Sequence, residues 1–157
     1  MSVQSKDIVY RHRQSPLWFI LMIFLLTLIM PLLIVILTRV TKDSDSVVAY
    51  ISAGFLIPFG LILWGLFYGL TVEVNRDIVQ LYCGFGIIHR SILREHIIAV
   101  TQVRNRLWWG FGIRLTQHGW MWNISGLDAV ELTYHDGKKF RIGTDEPEAL
   151  LEALKIV

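Results

Sequence analysis

Leu17 to Thr38 reads LWFILMIFLLTLIMPLLIVILT, and Val47 to Leu70 reads VVAYISAGFLIPFGLILWGLFYGL. The first stretch lies within 25 uncharged residues between Arg13 and Arg39, and the second within 27 between Asp45 and Glu73. A bilayer core is about 30 Å thick and a helix rises about 1.5 Å per residue, so roughly 20 apolar residues cross it. In hydrocarbon each backbone polar group must be bonded within its own segment, which makes two spanning helices the natural outcome. The competing reading is a pair of core helices in a soluble protein, or a cleaved signal peptide for the first. The 87 residues after Leu70 are too few to enclose two such helices. The first run is also too long for a signal peptide, and no small-residue cleavage pattern follows it. The expected organisation is an N-terminal segment 1–16, a span 17–38, a loop 39–46, a span 47–70 and a domain 71–157.

Orientation follows from the Lys and Arg residues near the helix ends. Lys6, Arg11 and Arg13 precede the first run and Arg76 and Arg90 follow the second, whereas the loop carries Arg39 and Lys42 beside Asp43 and Asp45. Both termini are therefore expected in the cytoplasm, with loop 39–46 outside a cell membrane. Neither run contains an ionisable side chain, which argues against transport by this chain alone. Pro31 and Pro58 are expected to bend their helices. Gly65 and Gly69 form a small-xxx-small pair, a candidate helix-packing face for a homo-oligomer.

From Thr71 onward ten Lys and Arg balance ten Asp and Glu, so nothing points to nucleic acid. The lone Cys83 cannot form a disulfide within one chain. At Leu70 the period changes: Leu70, Val72 and Val74 alternate with polar residues, as in a half-buried strand. Further strands are expected over 78–83, 87–92, 97–103, 113–116, 120–124, 129–134 and 138–142. Turns at 75–77, 84–86, 118–119 and 125–126 separate them, and Asp136-Gly137 is a strong hairpin signal. Strands of this number and spacing imply a small antiparallel barrel or sandwich. Asp145 and Glu148 suggest a capping box for one closing helix, whose apolar stripe is Leu150, Leu151, Leu154 and Val157. Trp120 and Trp122 share a strand face and are expected in the core.

A partly open barrel of about seven strands with one C-terminal helix at its end is the architecture of pleckstrin-homology (PH) domains. The runs Trp109-Gly-Phe-Gly-Ile-Arg114, Gly119-Trp-Met-Trp-Asn-Ile-Ser-Gly126 and Asp136-Gly-Lys-Lys-Phe-Arg-Ile-Gly-Thr-Asp-Glu-Pro147 resemble bacterial membrane proteins that carry such a domain after two spanning helices. The resemblance implies fold and topology, with no catalytic chemistry attached. The Lys and Arg cluster by which eukaryotic members hold inositol phosphates, between the first two strands, has no counterpart at Asn75-Arg76-Asp77. Phosphoinositide binding is therefore not carried over.

Chemical motifs are sparse. Cys83 reads as a small buried thiol, and His89, His96, His118 and His135 lack metal-ligand spacing. Gly110-Phe-Gly112 is too short for a phosphate loop. No catalytic residue, metal or cofactor is expected. The segment Arg104-Asn-Arg-Leu-Trp-Trp-Gly-Phe-Gly-Ile-Arg114 stands out, because Arg104, Arg106 and Arg114 surround Trp108, Trp109 and Phe111. Tryptophan favours the membrane–water interface and arginine meets lipid phosphates there. One of Trp108 and Trp109 is expected to be buried and the other free, with either assignment open. The sequence reading is a non-catalytic binding module at the membrane, first for a protein partner. The alternatives are an anionic-lipid sensor acting through residues 104–114 and a structural subunit of a homo-oligomer.

Overall fold

The computed structural model describes residues 8–40 and 46–155. Most of the expected external loop, and Lys6 and Val157, lie outside them. Two consecutive helices, α1 (Leu17–Val40) and α2 (Ser46–Phe67), pack against each other and continue through Pro31 and Pro58. The segment Ile20–Arg39 of α1 has a mean hydropathy of 3.2 and is long and apolar enough to cross a membrane. In α2 the continuous apolar part among the described side chains is Gly54–Phe67. The helices approach closely where Gly60 faces Thr27: a Cβ at Gly60 would lie 1.9 Å from Thr27 Cγ2.

The rest is mainly β, with nine strands among the described residues. Strand β1 (Ile8–Gln14) precedes α1 and pairs antiparallel with β2 (Leu70–Asn75), from Gln14 opposite Leu70 to Ile8 opposite Asn75. β3 (Ile78–Cys83) and β4 (Ile88–Leu93) complete a four-stranded sheet in the order β1-β2-β3-β4. The helix pair is thus inserted between two neighbouring strands. The connection between the first two strands is the helices themselves, and the 75–77 turn joins the second strand to the third. The segment 1–16 read as a flank therefore contributes a strand to the β domain.

The second sheet holds β5 (Ile97–Arg104), β6 (Gly112–Thr116), β7 (Gly119–Asn123), β8 (Asp128–Tyr134) and β9 (Lys139–Gly143), in the order β5-β8-β9-β7-β6. The hairpin at Asp136-Gly137 forms as expected, with Gly137 at φ 78° and Asp136 Oδ1 accepting from the Lys138 amide at 3.0 Å. One departure from an all-antiparallel arrangement is the parallel pairing of β7 with β9. The two sheets share one core, in which Val74, Val79, Leu81, Val130, Leu132 and Ile142 are fully buried. Helix α3 (Pro147–Lys155) closes it with Leu150 and Leu154, while Leu151 is only partly covered. Asp145 does not serve as the expected cap: its Oδ1 meets His12 Nε2 at 2.7 Å and ties β1 to the start of α3. Trp122 lies in the core against Phe140, but Trp120 on the same face is 46% exposed beyond the core's edge, opposite exposed Leu115.

Candidate functional site

The chemistry-bearing residues converge where the helices meet the sandwich. Loop 105–111 leaves β5 and folds over the outer face of the second sheet. Asn105 is buried: its amide donates to the Leu127 carbonyl at 2.6 Å, and its Oδ1 accepts from Arg141 Nη1 at 3.3 Å. Arg141 in turn bonds Glu131 through Nε at 2.6 Å, and Lys139 Nζ reaches the other Glu131 oxygen at 2.6 Å. Burial alone would raise the Glu131 pKa, but the hydrogen bonds from Lys139 and Arg141 outweigh it and hold the carboxyl below its usual range. The Trp109 ring covers Arg141 at 4.9 Å and lies 5.4 Å from the His118 ring. Trp109 is therefore the structural tryptophan of the pair.

A short 3-10 turn, Leu107–Trp109, lifts the next residues outward. Leu107 is 71% and Trp108 75% exposed, and the Arg106 guanidinium stands 5.3 Å over the Trp108 ring. Gly110 reverses the chain at φ 64°, where a Cβ would meet the Arg114 guanidinium at 3.0 Å. Arg114 donates through its two terminal nitrogens to the Trp109 and Phe111 carbonyls and so braces the loop. The five expected residues divide in role: Trp109 and Arg114 hold the loop, Arg106 and Trp108 are exposed on it, and Arg104 is exposed at its base as the last residue of β5, opposite Asp128.

Two contacts that the sequence did not suggest fix this loop and a second one to the helices. Phe111 packs on Trp18 in the first turn of α1, with ring centroids 5.0 Å apart. On the other side the β3–β4 turn docks on the end of α2: Phe85 lies 4.8 Å from Tyr68 and 5.9 Å from Trp64. Backbone bonds reinforce it, from the Gly84 amide to Gly69 at 2.8 Å and from the Phe85 amide to Gly65 at 3.2 Å. The approach requires glycine at 84, since a Cβ there would fall 2.1 Å from the Gly65 carbonyl oxygen. Cys83 adds a thiol bond to the Leu66 carbonyl at 3.2 Å, and burial pushes its pKa up to about 11. Beside this turn Phe85 and Ile87 are 62% and 71% exposed. Gly65 and Gly69 are thus placed against the β domain: Phe85 crowds the first, and Arg13 and Gln14 the second.

Both helix ends are consequently flanked by a loop that carries large exposed apolar side chains. Arg13 joins this zone by stacking on Tyr68 at 4.2 Å. Among the described residues no three His, Cys, Asp or Glu side chains gather to hold a metal ion. No protein-family model, curated protein or solved structure matches this chain.

Proposed function

We propose that the chain is an integral membrane protein with two spanning helices and a PH-like domain seated on the cytoplasmic face of the bilayer. It acts there as a non-catalytic binding module for the anionic interface. Several features support the membrane part. Large apolar side chains such as Leu21, Phe24, Leu25, Leu28 and Leu32 remain exposed around α1, as a lipid solvent permits and water does not. Trp18, Trp64 and Tyr68 cluster at one end of the helix pair, where an aromatic belt is favoured. The PH-like reading is supported by strand count. Setting aside the β6–β7 hairpin leaves seven strands in two antiparallel sheets closed by α3.

The observation that carries the function is the docking of two loops on the helix ends. Phe85 reaches Trp64, three residues or about 4.5 Å up α2 from Phe67, so its turn stands level with the helix end rather than below it. Phe111 touches the first turn of α1. Leu107, Trp108, Phe85 and Ile87 then lie at headgroup depth, with Arg104 and Arg106 able to meet phosphates. A protein partner is favoured by a separate surface, the exposed cross-strand pair Leu115 and Trp120 on the free edge hairpin.

The test is a depth measurement on the full chain reconstituted in liposomes containing phosphatidylglycerol. Spin labels are placed by Leu107→Cys, Ile87→Cys and, as an aqueous control, Glu95→Cys. Native Cys83 is buried and remains a thiol, so it does not compete for the label. Labels at 87 and 107 should be shielded from a water-soluble relaxation agent and accessible to oxygen, while the label at 95 is not shielded. Equal aqueous exposure at 95 and 107 would remove the seating from the account.

A further inference from the structure

A cleft of about 320 Å³ opens beside the end of α2, lined by Phe67, Phe111, Gly112, Ile113, Arg114 and Ile124. Its volume is at the lower end of the roughly 300–1,000 Å³ typical of small-molecule sites. We propose that this cleft holds one acyl chain of an anionic phospholipid, whose phosphate sits at Arg114. The inference rests on the seating described above and names the ligand of that same junction.

The position of the walls selects the ligand. Phe67 is the last residue of α2, and Phe111 rests on Trp18 of α1, so the cleft lies where both helices enter the sandwich. A lipid tail reaches such a mouth directly from the leaflet. The side chains of Phe67, Phe111, Ile113 and Ile124 offer a chain apolar contact and offer a soluble sugar phosphate no hydrogen bonds. Arg114 supplies the charge. Its bonds to the Trp109 and Phe111 carbonyls hold the guanidinium in place yet use two of its five N–H groups, and no carboxylate among the described residues pairs with it. Arg106, on the same loop, likewise has no carboxylate partner among the described residues. A fixed cation at the edge of an apolar slot complements an anionic amphiphile and gives a zwitterionic one less.

The experiment uses the full chain in nanodiscs of mixed phosphatidylglycerol and phosphatidylcholine, released into mild detergent for native mass spectrometry. Wild type should retain one phosphatidylglycerol per chain, at least tenfold in preference to phosphatidylcholine. Ile113→Trp, which fills the cleft, should reduce that retention at least tenfold while leaving the depth of a label at 107 unchanged. Phe67→Trp narrows the slot from the opposite wall and serves if Ile113→Trp does not fold. Undiminished retention in a folded cleft-filling variant overturns the proposal, as does a wild type that retains no lipid. Equal retention of both lipids overturns the role of Arg114. A label at 107 that stays aqueous sinks the seating itself, so the two failures are told apart.

Discussion

Replacing Trp108 and Trp109 by alanine, one at a time, separates the presented half of loop 105–111 from its structural half. Trp109 is half-buried, and its ring covers the guanidinium that neutralises Glu131. Truncating a fully buried aromatic costs about 3–5 kcal/mol. Half of that, with about 0.5–1 kcal/mol for the lost cation–π contact, gives about 2–3.5 kcal/mol for Trp109→Ala. Trp108 is 75% exposed, and a surface truncation of that kind stays within about 0.5 kcal/mol. For a domain of this size 1 kcal/mol moves the melting temperature by roughly 4–8 °C. Thermal unfolding of the full chain in detergent, followed by near-ultraviolet circular dichroism, should show Trp109→Ala melting about 10 °C or more below wild type. Trp108→Ala should melt within about 4 °C of it. In liposomes the order reverses, because Trp108→Ala should move a label at 107 toward water whereas Trp108→Phe should not. Equal loss of stability in both variants would refute the division of the loop.

The Glu131 cluster has a pH signature. A carboxyl whose folded pKa is depressed contributes stability that is present above its unfolded pKa of about 4.3 and is lost as pH falls through the folded value. Glu131→Gln should therefore lower the melting temperature at pH 7 and flatten its decline below about pH 4.5, as read by melting curves at stepped pH. Leu150→Ala and Leu154→Ala should each cost about 2–5 kcal/mol, because both side chains close the core; an unchanged denaturant midpoint would dissociate α3 from it. Gly84→Ala should free the β3–β4 turn from α2, seen as faster amide exchange at Gly84 and Phe85 with exchange in β8 and β9 unaltered. A cysteine at Ser44 should react with an impermeant thiol reagent in intact cells and one at Ser91 should not; the reverse pattern would invert the orientation.

Strands β2 to β9 were legible because their alternation is visible locally and glycine-containing turns separate many of them. Strand β1 was hidden for a physical reason. Its residues facing the sandwich include His12 and Gln14, so the period of two carries no hydrophobic contrast. Gln14 is buried by donating to the Ser125 carbonyl at 2.8 Å, and His12 meets Asp145. Its partner strand also lies beyond both helices, out of reach of any local pattern. The same distance concealed the fate of Gly65 and Gly69, whose spacing suggests a helix–helix face although the nearest surfaces are Phe85 and Arg13. At the loop, composition identified the cluster of Arg and Trp. Only the position of Arg141 on β9 decides which tryptophan is held. Trp120 misled because strand alternation assigns a face but not how far the core extends along it.

Insertion of the helices between paired strands has a mechanical consequence for the proposed seating. Gln14 pairs with Leu70, while α1 starts at Leu17 and α2 ends at Phe67, so two residues separate ladder from helix on each side. Two residues span at most about 7 Å. Even that slack is reduced: Pro16 is fully buried and accepts the first bond of α1 from the Ile20 amide, and the Gly69 carbonyl is bonded to Gly84. A domain on a flexible tether would have to lose rotational freedom each time its loops met the surface, at several kcal/mol. Here the β1–β2 ladder has already removed that freedom during folding. Contacts of about 1 kcal/mol per arginine, with a tryptophan anchor, are then enough to hold Leu107 and Trp108 at the interface. On the proposed seating, weak lipid contacts would suffice for this domain because its orientation is set by the sheet.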